Sequence, residues 1–271
     1  MPPGAVDTHA HVIGPVQAMA EQRSYTPPPA APAAYLRMLA ATGMEFGVLV
    51  QVSVHGVDNS LLLQTLRDHP GRLRGVAVID PAAGEDTIAG LARAGVTGLR
   101  MNTLTGAGIG LQHLDRYAEI CAAMGWHLQF LANAESLRPA ARRLASLRVP
   151  YVIDHMGDFD ASAGTGAPDW QLILGLVRDG GWVKLSGAYR LAEPPYAATI
   201  PFARSLIEAA PDRCLYGSDW PHPAFWGPMP NDGDLLDLLA QWAPDEHVRR
   251  AILTTNPHRL YGFSAAAGAG S

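Results

Sequence analysis

Charge is scarce in this chain: Asp, Glu, Lys and Arg supply 17% of its 271 residues, against 48% that are hydrophobic. That balance excludes a globally disordered chain, because there is ample apolar surface to bury. The charge present sums to −5 at pH 7 and no block of Lys or Arg interrupts it. Nucleic acid and anionic membrane surfaces are therefore excluded as partners. Cysteine is scarcer still: Cys121 and Cys214 lie far apart and form no CxxC pair, so reduced core thiols are expected. No apolar run approaches the roughly 20 residues of a membrane helix, and Met1-Pro2-Pro3-Gly4 has neither a basic nor an apolar leader region. The expectation is a soluble, cytoplasmic protein. Two catalytic motifs are also missing. Val12-Ile13-Gly14-Pro15 follows the first apolar run where a dinucleotide fold would carry GxGxxG, and Gly217-Ser218-Asp219 lacks the second glycine of GxSxG.

What the sequence does have is alternation. Short β-branched, apolar runs at 6–11, 46–53, 73–79, 97–102, 127–132, 151–155, 182–186 and 213–217 predict strands. Between them, helical spacing predicts helices over 33–41, 59–68 behind an Asp58 N-cap, 85–94, 111–124, 136–146, 169–178, 196–210, 233–241 and 245–253. Strand–helix alternation implies a parallel sheet. Eight strands without a glycine-rich first turn favour a closed (β/α)8 TIM barrel, which takes about 250 residues, over an open doubly wound sheet. We expect one domain over 1–263, a long first βα loop containing 27–32, and a disordered small-residue tail over 264–271.

Barrel active sites collect at the C-terminal ends of the strands, and three ends carry chemistry. The first reads Asp7-Thr8-His9-Ala10-His11. Side chains two apart on a strand share a face, so both imidazoles point into the barrel mouth. There they can ligate a divalent metal or donate to an oxyanion. The sixth strand ends Asp154-His155-Met156-Gly157, and the eighth runs into Asp219 before Pro221 stops it. A carboxylate at Asp219 can orient or deprotonate a water. Each signal is modest alone; on three strand ends together they are specific.

Val6-Asp7-Thr8-His9-Ala10-His11, Ile153-Asp154-His155-Met156-Gly157 and Tyr216-Gly217-Ser218-Asp219-Trp220-Pro221-His222-Pro223 resemble the amidohydrolase superfamily. The branch most resembled holds 2-pyrone-4,6-dicarboxylate lactonase and sugar-lactone hydrolases. Arg23-Ser24-Tyr25, Gln51, Arg100, Lys184-Leu185-Ser186-Gly187-Ala188-Tyr189-Arg190 and Asn256-Pro257-His258 extend the likeness across the chain outside the tail. The resemblance implies lactone hydrolysis, with Asp219 activating water and His9, His11 and His155 polarising the carbonyl. Strand four offers Arg100 and Asn102, not the Lys or Glu that bridges two metals in many relatives, and strand five offers Gln129, not their further His. A binuclear centre is therefore not expected. Either no cofactor is required, or one divalent ion, zinc, sits on His9, His11, His155 and Asp219.

For substrate, the resemblance places Arg100 and Arg190 on an acid group, which suits an arginine fork, with Tyr25, Gln51, Ser53 and His222 lining the pocket. The dicarboxylate lactonase has further arginines after strands four and six. Here those stretches read Thr103-Leu104-Thr105-Gly106 and Gly157-Asp158-Phe159. Asp158 would repel a second carboxylate, so a lactone with a single acid group, or a sugar-derived one, is expected. The same resemblance admits a lactone isomerase or a metal-dependent decarboxylase. A barrel with a decayed site that only binds a metabolite is the non-enzyme alternative. His55 and the walls Trp220 and Trp226 are secondary candidates; His69, His113, His127, His247 and His258 read as structural or solvated. A small-molecule partner is expected, and a homo-oligomer is compatible with the fold.

Overall fold

All eight expected strands form, and they pair in sequence order as one parallel sheet. They are β1 (Val6–Ala10), β2 (Phe46–Val50), β3 (Leu73–Ala77), β4 (Val96–Asn102), β5 (His127–Leu131), β6 (Tyr151–Ile153), β7 (Trp182–Leu185) and β8 (Cys214–Tyr216). The structure is a computed structural model describing residues 1–105 and 108–263; the expected tail, 264–271, lies outside the described residues, as do 106 and 107. The sheet closes into a (β/α)8 barrel through residues just beyond β8. Asp219 N–H donates to His9 C=O and His11 N–H to Trp220 C=O, both at 2.8 Å. The seam that closes the barrel thus passes through the candidate site.

Alternation sorts the side chains into two cores. Val6, Val48, Val50, Val76, Val152, Trp182, Leu215 and Tyr261 fill the barrel interior. Residues such as Ala10, Leu49, Leu99, Phe130, Ile153 and Val183 face the helices in a larger outer core. In β1 the register slips, with Asp7 opposite Gly47 but Ala10 opposite Leu49. This bulge places one extra residue in the strand. Asp7 points outward to Tyr35 Oη (3.1 Å), and His9 turns back inward. Two close approaches need glycine. A Cβ at Gly217 would lie 2.6 Å from His9 Cβ, and one at Gly98 would lie 2.4 Å from His127 Cε1. Glycine at these positions on β4 and after β8 makes room for two buried imidazoles.

The helices follow the pattern with local departures. The 136–146 segment is split into Ala134–Leu137, a 3-10 turn over Arg138–Ala140, and Ala141–Ala145. Pro139 has no N–H for a continuous helix, and the Asn133 side chain caps the start by accepting from Ser136 N–H. The second helix is Ser60–Asp68 with Asn59 at the cap position; Asp58 sits one residue earlier and accepts from Ser60 N–H at 3.0 Å. The 245–253 helix continues through a π turn over Ala251–Thr255 into Asn256–Tyr261, around Pro257. Both cysteines are free and buried. Among the described residues, no helix is long and apolar enough to cross a membrane.

Candidate active site

His9, His11, His155 and Asp219 converge at the barrel mouth. His9 packs against His155 (ring centroids 4.6 Å) and edge-on to His11 (5.0 Å). All three Nε2 atoms face Asp219: His11 at 3.3 Å and His9 at 3.8 Å from Oδ1, and His155 at 3.8 Å from Oδ2. Each Nδ1 is held from behind. That of His11 lies 2.8 Å from Val50 C=O, which accepts only, so Nδ1 carries the proton and the neutral ring offers a lone pair at Nε2. That of His155 meets Ser186 Oγ at 2.9 Å. His155 and Asp219 both have positive φ, 49° and 60°, a region uncommon for non-glycine residues that persists where the surroundings enforce it.

Asp219 is fully buried and its two oxygens differ. Oδ2 accepts from Tyr189 Oη–H at 2.5 Å and from Arg190 Nε–H at 3.0 Å. Oδ1 has no hydrogen-bond partner among the described residues, and neither does His9 Nε2. Burial pushes the Asp219 carboxyl up, but the charges of His155 and Arg190 outweigh it, and its pKa lies well below the usual carboxylate range. Burial brings His155 down to about 4, and burial with the Lys184 ammonium holds His9 well below the usual imidazole range. At neutral pH the arrangement is an ionised Asp219 carboxylate facing the neutral imidazoles of His9 and His155.

Beneath this layer lies a second polar layer that motif reading did not anticipate. Asp154 Oδ2 accepts from Arg100 Nε–H and Gln129 Nε2–H, both at 3.1 Å. Its Oδ1 stands 3.2 Å from His9 Nδ1 and 3.6 Å from Lys184 Nζ. Lys184 donates to Thr8 C=O and Gln129 Oε1, both at 2.8 Å. Burial lowers its ammonium to about 8, so it stays largely protonated at neutral pH. Besides its place in a matching stretch, the signal for Lys184 was that it is the chain's only lysine and sits inside an otherwise apolar strand.

The expected substrate contacts divide. Tyr25, in the long first loop, packs against the cluster of Ile13, Val52 and Val54, and burial raises its phenol against the opposing pull of Arg100 and Arg190. Ser53 Oγ accepts from Asn102 Nδ2–H at 2.9 Å. Arg190 also donates to Pro223 C=O (3.0 Å) and keeps 23% of its side chain exposed. Arg100 is turned down to Asp154 and is almost fully buried. Gln51 directs its amide N–H groups to the carbonyls of Gly56 and Asp58, pinning the loop after β2. His222 faces Asp232 at 3.2 Å, edge-on to Tyr189. His55 Nε2 accepts from Gly14 N–H at 3.2 Å, holding two loops together. Trp220 packs at a tilt against Tyr35 (5.6 Å between centroids), and Trp226 is 69% exposed.

A family profile described as amidohydrolase matches residues 6–263. The chain belongs to the amidohydrolase family. This amidohydrolase is 38% identical to 4-sulfomuconolactone hydrolase of Hydrogenophaga intermedia over 97% of this chain and 90% of the relative. It is 33% identical to the 2-pyrone-4,6-dicarboxylate hydrolase of Comamonas testosteroni (96% and 91% covered), and 30% identical to D-galactarolactone isomerase of Agrobacterium fabrum (97% and 92%). A crystal structure of an Agrobacterium tumefaciens protein in its apo form superposes with a TM-score of 0.89 at 30% identity, covering 98% of each chain.

The donor set of this amidohydrolase would suit one cation only with His9 Nε2 unprotonated. One ligand atom each from His9, His155 and Asp219 lie within 4.8 Å of one another, and the same residues hold the unpartnered His9 Nε2 and Asp219 Oδ1. Buried polar atoms without partners are costly. A proton shared with substrate or a bound cation would relieve that cost.

Proposed function

We propose that this amidohydrolase opens a small lactone bearing one acid group, with Asp219 as the base. The observation that carries the reading is the divided Asp219 carboxylate. Oδ2 is fixed by Tyr189 and Arg190 while Oδ1 stays open among imidazole Nε2 atoms. A water beside Oδ1 loses a proton to it as its oxygen attacks the lactone carbonyl carbon. Donors from His9 and His155 meet the negative charge that develops on the carbonyl oxygen. Collapse breaks the ring C–O bond, and the proton passes from Asp219 to the leaving oxygen, giving the open hydroxy acid. His11, whose Nε2 is an acceptor in the neutral ring, shares the Oδ1 proton instead of acting on the carbonyl.

A single divalent ion held by His9, His155 and Asp219 would polarise the carbonyl and acidify the water. The acid group is assigned to Arg190, the cation partly open at the mouth. Asp158, which burial raises and Arg190 lowers, stands against a second carboxylate. Names of relatives support the lactone class: sulfomuconolactone and pyrone dicarboxylate hydrolases.

The test is acid release from mono-acid, sugar-acid and pyrone lactones by wild type and Asp219→Asn. Turnover that falls about 100-fold or more in the variant supports the base assignment; equal turnover sinks it. The isomerase relative favours one second reading, in which Asp219 shuttles a proton between two positions of a lactone. That activity would convert substrate without releasing acid.

A further inference from the structure

We propose that Lys184 is a positioning residue that fixes His9 as the Nε2–H tautomer, making His9 a hydrogen-bond donor to the substrate and a poor metal ligand. The inference deepens the proposed lactone chemistry and rests on it only for the identity of the acceptor. An ammonium has three N–H donors and no lone pair. Around Lys184 Nζ there are three acceptors at hydrogen-bond distance: Thr8 C=O at 2.8 Å, Gln129 Oε1 at 2.8 Å and His9 Nδ1 at 3.2 Å. Asp154 Oδ1, at 3.6 Å, is beyond hydrogen-bonding range. The three donors are therefore matched to three acceptors, and one of these is the imidazole nitrogen.

A ring nitrogen that accepts from an ammonium carries no proton, so the proton of neutral His9 resides on Nε2. The competitor is Asp154 Oδ1, 3.2 Å from the same Nδ1. A proton on Nδ1 directed there would make Nε2 the lone pair that a cation needs. Yet the Lys184 ammonium also stands 3.6 Å from Asp154 Oδ1 and meets its charge without a proton on His9 Nδ1. Asp154 is instead tied by its other oxygen to Arg100 and Gln129. Gln129 completes the logic: its Nε2–H serves Asp154 and its Oε1 serves Lys184, which fixes the amide's orientation and holds the ammonium under His9. The contrast with His11 is built in. Val50 C=O forces its proton onto Nδ1, so the two histidines of one strand present opposite faces, a donor and an acceptor, to Asp219 Oδ1.

The test is long-range 1H–15N correlation of histidine-labelled full-length protein prepared without added metal, with the His9 ring assigned by His9→Gln. Wild type is expected to show His9 protonated at Nε2 and bare at Nδ1. A wild-type ring protonated at Nδ1 overturns the proposal without any variant. In Lys184→Met the His9 proton is expected to move to Nδ1, facing Asp154. Zinc affinity, read by equilibrium dialysis, is then expected to rise about 10-fold or more, as for other changes behind a ligand. An unchanged tautomer in a folded variant, or zinc that wild type retains through chelator dialysis, also overturns it. Inertness on every lactone would defeat the proposed function but leave the tautomer result standing.

Discussion

Tyr189 Oη and Asp219 Oδ2 are 2.5 Å apart, a charge-assisted contact that leaves the carboxylate's other oxygen to face the histidines. Tyr189 is itself wedged edge-on against His222 and Phe225, each at 4.9 Å between centroids, so the hydroxyl has little freedom to follow a displaced carboxylate. In the proposed reaction the pair decides which oxygen of Asp219 takes the proton from water.

Tyr189→Phe removes that anchor while keeping the ring contacts. Hydrogen bonds to charged groups contribute about 1.5–3 kcal/mol, so kcat is expected to fall about 10- to 100-fold. KM for a neutral lactone should change little. Steady-state kinetics on one neutral and one acid lactone checks this. Unchanged kcat would mean that Arg190 alone orients Asp219.

Much of this was legible beforehand, and for physical reasons. Strand periodicity and the residues at strand ends are local properties, so all eight strands and the convergence of His9, His11, His155 and Asp219 could be read directly. The bulge in β1 could not, since it depends on how β1 and β2 register. The layer of Lys184, Asp154, Gln129 and Arg100 was hidden because its members come from four strands and meet only through the shear of the closed barrel. Arg100 illustrates the cost. Its position at the end of β4 suggested a substrate grip, but the side chain points down to Asp154 rather than up. His222 likewise follows β8 at the site, yet its ring is directed to Asp232 at the start of the Asp232–Trp242 helix. Chain position identified the neighbourhood; side-chain direction required the packed barrel.

Arg190 has two tasks in this reading, and they can be separated. It holds Asp219 Oδ2 and is the cation offered to a substrate acid. An acid group that draws Arg190 away removes a charge that holds the Asp219 pKa down, so binding makes the base stronger. Arg190→Met is expected to raise KM for acid-bearing lactones about 10-fold or more, from loss of a charged hydrogen bond. KM for a matched neutral lactone should stay within about twofold. Equal changes for both classes would show that Arg190 acts on Asp219 alone.

The floor of the barrel makes a prediction about acid stability. His127 is buried beside Gly98 and edge-on to Tyr261, and burial, reinforced by Lys184, lowers it from 6.5 to about 3. A histidine depressed in the folded state binds its proton more readily when unfolded. Its contribution is therefore complete above the unfolded value of 6.5 and is lost as pH falls towards 3. His155, lowered to about 4, acts in the same direction. Asp7 opposes them: burial raises its carboxyl from 3.8 to about 6, so that group favours the folded state more as pH falls through the same range. Between about pH 7 and pH 4, His127 alone should remove about 3 kcal/mol, taking roughly 1.4 kcal/mol per pH unit across the window. Urea unfolding of wild type and His127→Asn at both pH values isolates this share. The variant is expected to be less stable at neutral pH but to lose about 3 kcal/mol less on acidification. A variant that loses as much as wild type would place the acid sensitivity elsewhere, with His155 the first group to examine.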